Sequence, residues 1–134
     1  MRHIVNAIFV RPDSVLLARR SIHRKSYPGL WSFPGGHVEA GESFDEALVR
    51  EVGEELAVAP VRFEPFMEIA DPHVAVGMIT YHMYLVSEWH GTPKILDTEH
   101  SELRWFSVGE ACLLSNLALE EYVYLFEKLR ELNG

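Results

Sequence analysis

The chain has 134 residues with a formal charge of -8, a length that fits one domain over residues 1–134. Hydrophobic residues make up 48% and charged residues 24%, a globular balance that excludes a disordered chain. No apolar run approaches the ~18 residues of a membrane span, the single cysteine excludes an internal disulfide, and so acidic a chain is a poor ligand for nucleic acid; the expectation is a cytoplasmic protein that binds neither membrane nor nucleic acid.

His3 to Val10 is apolar and β-branched, Arg11-Pro12-Asp13-Ser14 turns, and Val15 to Ala18 resumes the pattern, which predicts a hairpin. Ser21 to Gly29 reads as a polar loop and Leu30 to Phe33 as a short strand ending at Pro34-Gly35-Gly36. Ser43 to Leu56 reads as a helix, with Ser43 as N-cap and Glu46 at the capping-box spacing. Val61 to Ala70 and Val76 to Val86 read as strands separated by Asp71-Pro72-His73, and Leu103 to Val108 as another. Leu117 to Leu132 has the apolar spacing of a second helix. This order is α/β, a mixed sheet flanked by helices rather than a strictly alternating unit.

Charge is patterned along this order. Residues 39–55 hold seven acids and one base, whereas residues 14–38 hold no acid but include Arg19, Arg20, Arg24 and Lys25. A compact acidic cluster beside a compact basic one suits a divalent cation and a polyphosphate held together. On the first helix, at about 100° per residue, Glu51, Glu54 and Glu55 fall in one arc with Phe44, Ala47 and Leu48. Glu46, Arg50 and Gly53 fall in the solvent-facing sector. An ordinary solvated face would place the carboxylates opposite the apolar stripe. Three carboxylates on the stripe repel one another and resist desolvation, and a bound cation relieves both. Oxygen donors without sulfur favour Mg2+ or Mn2+.

The segment Gly36-x5-Glu42-x7-Arg50-Glu51-Val52-x-Glu54-Glu55-x-Ala57-Val58 resembles the Nudix box, 23 residues with several charged positions at fixed spacing. It departs from that pattern at Ala57, where the family has glycine. Trp31 to Glu39 and Glu102 to Phe106 resemble the family's lead-in and final strand. The resemblance implies a Nudix α/β/α sandwich and a metal-dependent hydrolase that cleaves the phosphoanhydride of a nucleoside diphosphate linked to another group. By position it makes Glu51, Glu54, Glu55 and the Gly35 carbonyl the ligands of Mg2+ or Mn2+, and Arg50 the residue that orients the carboxylates. The general base varies within the family; Glu51 is the choice here, with Glu102 as the alternative or as a further ligand. Glu99 is open to that later role, since the register of the loop before the last strand is hard to read.

The substrate is less legible. Compact size and the Trp31–Glu39 lead-in lean toward a MutT-like nucleoside triphosphate pyrophosphohydrolase. An ADP-ribose or nucleotide-sugar pyrophosphatase and a non-catalytic nucleotide-binding module are the alternatives. Pro72 lies near, not at, the position associated with ADP-ribose hydrolases, and Tyr81 comes too late for dinucleoside polyphosphate hydrolases. Arg19, Arg20, Arg24 and Lys25 are the candidates for substrate phosphates, with Arg19 and Arg24 preferred. Asn116 is the candidate for a base edge, or equally an N-cap for the last helix. His37 and His100 read as surface histidines bordering the cleft. The resemblance also allows a homodimer.

Overall fold

A computed structural model describes residues 2–71 and 78–133 of the chain. The predicted hairpin is β1 (Arg2–Arg11) and β2 (Ser14–Arg20), antiparallel with Val10 opposite Val15. β2 continues the antiparallel pairing to β3 (Trp31–Ser32) and to β7 (His100–Ser107). β1 pairs antiparallel with β4 (Gly35–His37) and parallel with β6 (Ile79–His90). β5 (Ala59–Ala70) pairs antiparallel with β6 and ends the sheet. That edge position is where Pro60 and Pro65 are tolerated, since neither can donate to a second neighbour.

The mixed sheet is covered on two faces, as expected. Period-2 alternation sends Val5, Ala7 and Phe9 of β1 to a core shared with Ala47, Leu48, Val52 and Leu56 of α1 (Phe44–Leu56). Ile8 of the same strand faces the other way, into a core with Leu125, Phe126 and Leu129 of α3 (Tyr122–Asn133). Among the described residues no helix is long and apolar enough to cross a membrane.

Three elements differ from the sequence expectation. The last helix begins at Tyr122 rather than Leu117, because Leu117 bridges to Trp31 and the Trp31 N–H donates to the Asn116 carbonyl. Residues 116–118 thus extend the sheet, and Asn116 is not a helix N-cap. β4 carries no apolar signal in Gly35-Gly36 and exists through its pairing with β1. The short α2 (Val108–Cys112) follows β7; Ser107 and Glu110 form its capping box, a spacing that is present in the sequence. Pro72 and His73, the centre of the predicted turn, lie outside the described residues, as does Val76 at the predicted start of the next strand.

α1 starts as predicted, with reciprocal Ser43–Glu46 capping bonds of 2.9 and 3.1 Å. It ends at Ala57, whose φ of 59° and ψ of 36° are left-handed. An L side chain there costs about 1–2 kcal/mol. Ala57→Gly is therefore expected to stabilise the fold by up to about 1 kcal/mol after the glycine's extra unfolded-state entropy, a rise of about 4 °C in Tm. A lower Tm in a thermal melt would refute this assignment of the cap.

Candidate active site

α1 is aimed by its buried arc, which centres on Ala47, Leu48, Val52, Glu55 and Leu56. Glu55 sits at the middle of that arc with 5% exposure. Glu51 lies within it at 15%, whereas Glu54 stands at its edge with 62% of its side chain exposed. The three carboxylates therefore do not share one buried face as the angular count expected; the buried arc runs from Ala47 through Glu55 to Leu56 and stops short of Glu54. The arc is also narrower than expected on its other side, which leaves Val49 exposed, and Arg50 is partly covered by its own partners, Glu42 and the His37 carbonyl.

Arg50 gathers the acids around it. Its Nε and Nη2 donate to the two oxygens of Glu42 at 2.6 and 2.9 Å, a bidentate pair. Its Nη1 donates to Glu51 at 2.8 Å and reaches Glu54 at 3.4 Å, and Nη2 donates to the His37 carbonyl at 3.1 Å. The guanidinium holds the Glu42 carboxyl down to about 2. Burial pushes Glu51 above the usual carboxylate range, with Arg50 opposing it.

The Gly35-Gly36 turn is pressed onto this cluster. Asn6 Nδ2 donates to the Phe33 carbonyl at 3.0 Å, the Ala7 N–H donates to Pro34 at 2.9 Å, and the Gly35 N–H donates to Glu55 Oε2 at 2.9 Å. A Cβ on Gly35 would overlap the Val5 carbonyl, and one on Gly36 would overlap the Glu51 carboxylate. Only glycine lets the backbone come this close.

A third segment completes the site. The Lys94 and Leu96 N–H groups donate to the carbonyls of Leu56 and Glu55 at 3.1 and 2.9 Å, satisfying carbonyls at the end of α1 that lack helical partners. Ser21 holds the next residues, through its N–H to Glu99 and its Oγ to Thr98. Asp97, Glu99 and His100 thereby arrive beside α1. One ligand-type atom each from Glu55, Asp97 and His100 lies within 4.8 Å of the others. Burial, with Glu51 and Asp97 nearby, pushes the Glu55 carboxyl up to about 9, and burial pushes His100 below its usual range. A buried carboxylate and a half-buried one so close fit a divalent cation, which would replace the solvation they lose.

The site opens on a cleft of about 580 Å³. Gly35, Gly36, Glu51, Glu99 and His100 line it, as do Arg20 and Arg24. Tyr27 and Tyr81 add an aromatic wall, with both hydroxyls donating to Asp71 at 2.7–2.8 Å. Arg24 makes a 3.5 Å ion pair with Glu99.

Several expected residues stand elsewhere. Arg19 does not line the cleft; its Nε donates to the Gly29 carbonyl and its guanidinium lies over Trp31. Strand alternation gives that place to Arg20 instead. Glu102 pairs with Arg104, which lies over Trp31 and Phe106. A register shift opposite Arg19 and Arg20 pairs Arg19 with Glu102 but Arg20 with His100, so Glu102 and His100 part company and the cleft receives Glu99 and His100. Asn116 is not among the cleft residues, although Ala118, Leu119 and Tyr122 are. His100 is buried, not a surface histidine. Asp97 was missed and Arg20, named in the basic cluster, was passed over for Arg19: loop register and one extra strand residue leave no periodic signal.

The NUDIX domain family matches residues 1–128. The CTP pyrophosphohydrolase of Escherichia coli K12 is 38% identical over 111 residues, 83% of this chain and 79% of that protein. The 8-oxo-dGTP diphosphatase of the same organism is 40% identical over 65 residues, 46% of each chain. The crystal structure of a MutT NUDIX hydrolase from Burkholderia pseudomallei superposes with a TM-score of 0.84 at 28% identity, covering 96% of this chain and 97% of that one.

Proposed function

The chain belongs to the NUDIX family, and from that premise we propose that it is a MutT-like nucleoside triphosphate pyrophosphohydrolase dependent on Mg2+ or Mn2+. Water attacks a phosphorus of the triphosphate, one phosphoanhydride P–O bond breaks, and a nucleoside monophosphate and pyrophosphate leave. The observation that carries this reading is the half-buried Glu51, which lines the cleft in front of the buried Glu55 under a turn where only glycine fits. Relatives named for CTP and 8-oxo-dGTP support a nucleoside triphosphate as substrate.

Glu51, Glu54, Glu55 and the Gly35 carbonyl are the residues that hold the cation. When bound, it neutralises the developing phosphate charge and makes the attacking water more acidic. Glu51 takes the proton from that water, and its burial, by raising its proton affinity, suits it to a base. Glu99, rather than Glu102, is the later carboxylate within reach of the cleft. Arg50 holds Glu51 in place through a 2.8 Å bond. Arg20 and Arg24 bind substrate phosphates, and the wall of Tyr27 and Tyr81 packs the base. Positioning and electrostatics carry such phosphoryl transfer.

The test is a panel of nucleoside triphosphates, ADP-ribose and nucleotide sugars assayed with Mg2+, Mn2+ and excess chelator. The expected result is release of pyrophosphate and nucleoside monophosphate from one or more triphosphates, falling about a thousandfold or more on chelation. Full turnover in chelator, or hydrolysis confined to ADP-ribose or a sugar nucleotide, would overturn it.

A further inference from the structure

Glu55, Asp97 and His100 make a cluster that is not all oxygen, and the box carboxylates alone do not account for it. We propose that these three residues hold a divalent cation of their own, with the His100 imidazole as a nitrogen ligand, and that this position selects a transition ion such as Mn2+ or Co2+ over Mg2+. The proposal goes beyond the hydrolytic reading, shares only Glu55 with it, and does not depend on which substrate is cleaved.

The first support is distance: one donor atom from each residue lies within 4.8 Å of the other two, close enough to converge on one ion after small side-chain shifts. The second is an orphaned atom. Asp97 Oδ2 is buried and makes no hydrogen bond among the described residues, although the His100 ring nitrogen lies 3.3 Å away. A buried carboxylate oxygen without a donor is costly, and a cation removes that cost. The third is burial of the imidazole, whose side chain is 2% exposed. Histidine is rarely spent in so closed a place without a partner for each nitrogen.

The chemistry sets the preference. Mg2+ binds oxygen and keeps much of its water, whereas imidazole nitrogen favours first-row transition ions. Three protein ligands also leave coordination positions open, as at catalytic rather than structural metal sites. Glu51 and Glu54 face Arg50, whose Nη1 bonds the first and reaches the second, whereas Glu55, Asp97 and His100 offer donor atoms to one another's neighbourhood. This cluster is held firmly, since the Leu96 N–H donates to Glu55's own carbonyl and Ser21 fixes Thr98.

The experiment uses the full, untagged chain, stripped of metal and given one equivalent of Mn2+. Pulsed electron paramagnetic resonance is expected to show nitrogen hyperfine coupling from a directly bound imidazole. The coupling is expected to vanish in His100→Gln and to persist in Glu51→Gln. Displacing the Mn2+ is expected to need about a hundredfold excess of Mg2+ or more. Should His100→Gln fail to fold, Asp97→Asn keeps the imidazole and is expected to weaken Mn2+ binding about tenfold or more. A wild-type spectrum without nitrogen coupling, or coupling that survives His100→Gln, would overturn the proposal. Pyrophosphate release with Mg2+ is measured on the same sample. Normal release without nitrogen coupling defeats this proposal alone, and coupling without release defeats the hydrolytic reading alone.

Discussion

Glu51→Gln is expected to lower turnover about a thousandfold or more while leaving the fold nearly as stable as the wild type. The substitution keeps the shape of the side chain and removes its charge. Loss of a base and of a cation ligand together removes several kcal/mol of transition-state stabilisation, at about 1.4 kcal/mol per decade of rate. Stability should change by only about 1 kcal/mol. Arg50 is not stranded, because it keeps its bidentate pair with Glu42 and its bond to the His37 carbonyl. A neutral amide is also easier to bury than the carboxylate whose desolvation raises the Glu51 pKa. Thermal melts without metal and one rate assay decide the matter. Near-normal turnover would remove Glu51 from the mechanism, and a large loss of stability would make it a structural acid.

Gly36→Ala is expected to lower turnover about a hundredfold with the fold intact. The added Cβ would overlap the Glu51 carboxylate, which must move. That carboxylate is the end of a flexible side chain, so yielding costs little stability. The same movement displaces the proposed base by about an ångström, enough for a loss of this size. Gly35→Ala provides the contrast. Its Cβ would meet the Val5 carbonyl in the middle of the sheet and Asn6 Nδ2 at 2.8 Å, so backbone must shift and the protein should be destabilised. Circular dichroism melts and initial rates of the two variants separate these effects. Equal loss of stability in both would show that the turn matters for the fold rather than for the position of Glu51.

Much of this protein can be read from its sequence because the deciding forces are local. The hairpin and the capping box of Ser43 and Glu46 follow from short-range geometry, and each stands where residue pattern places it. The acidic box is equally local: a fixed spacing on one helix determines which carboxylates sit together, and the match to the NUDIX family spans residues 1–128.

Tertiary structure decided how those carboxylates divide. Packing of α1 on the sheet selected Glu55 for the centre of the buried arc and left Glu54 exposed, since apolar burial, not the spacing of the acids, sets a helix's rotation. It also decided what meets the box from elsewhere in the chain. One register shift between β2 and β7 turned Glu102 away and delivered Glu99 and His100. Two hydrogen bonds from the 94–96 backbone to the end of α1 brought Asp97 alongside. A single inserted residue reverses every side chain beyond it, and neither composition nor periodicity records where the pairing partner places that residue.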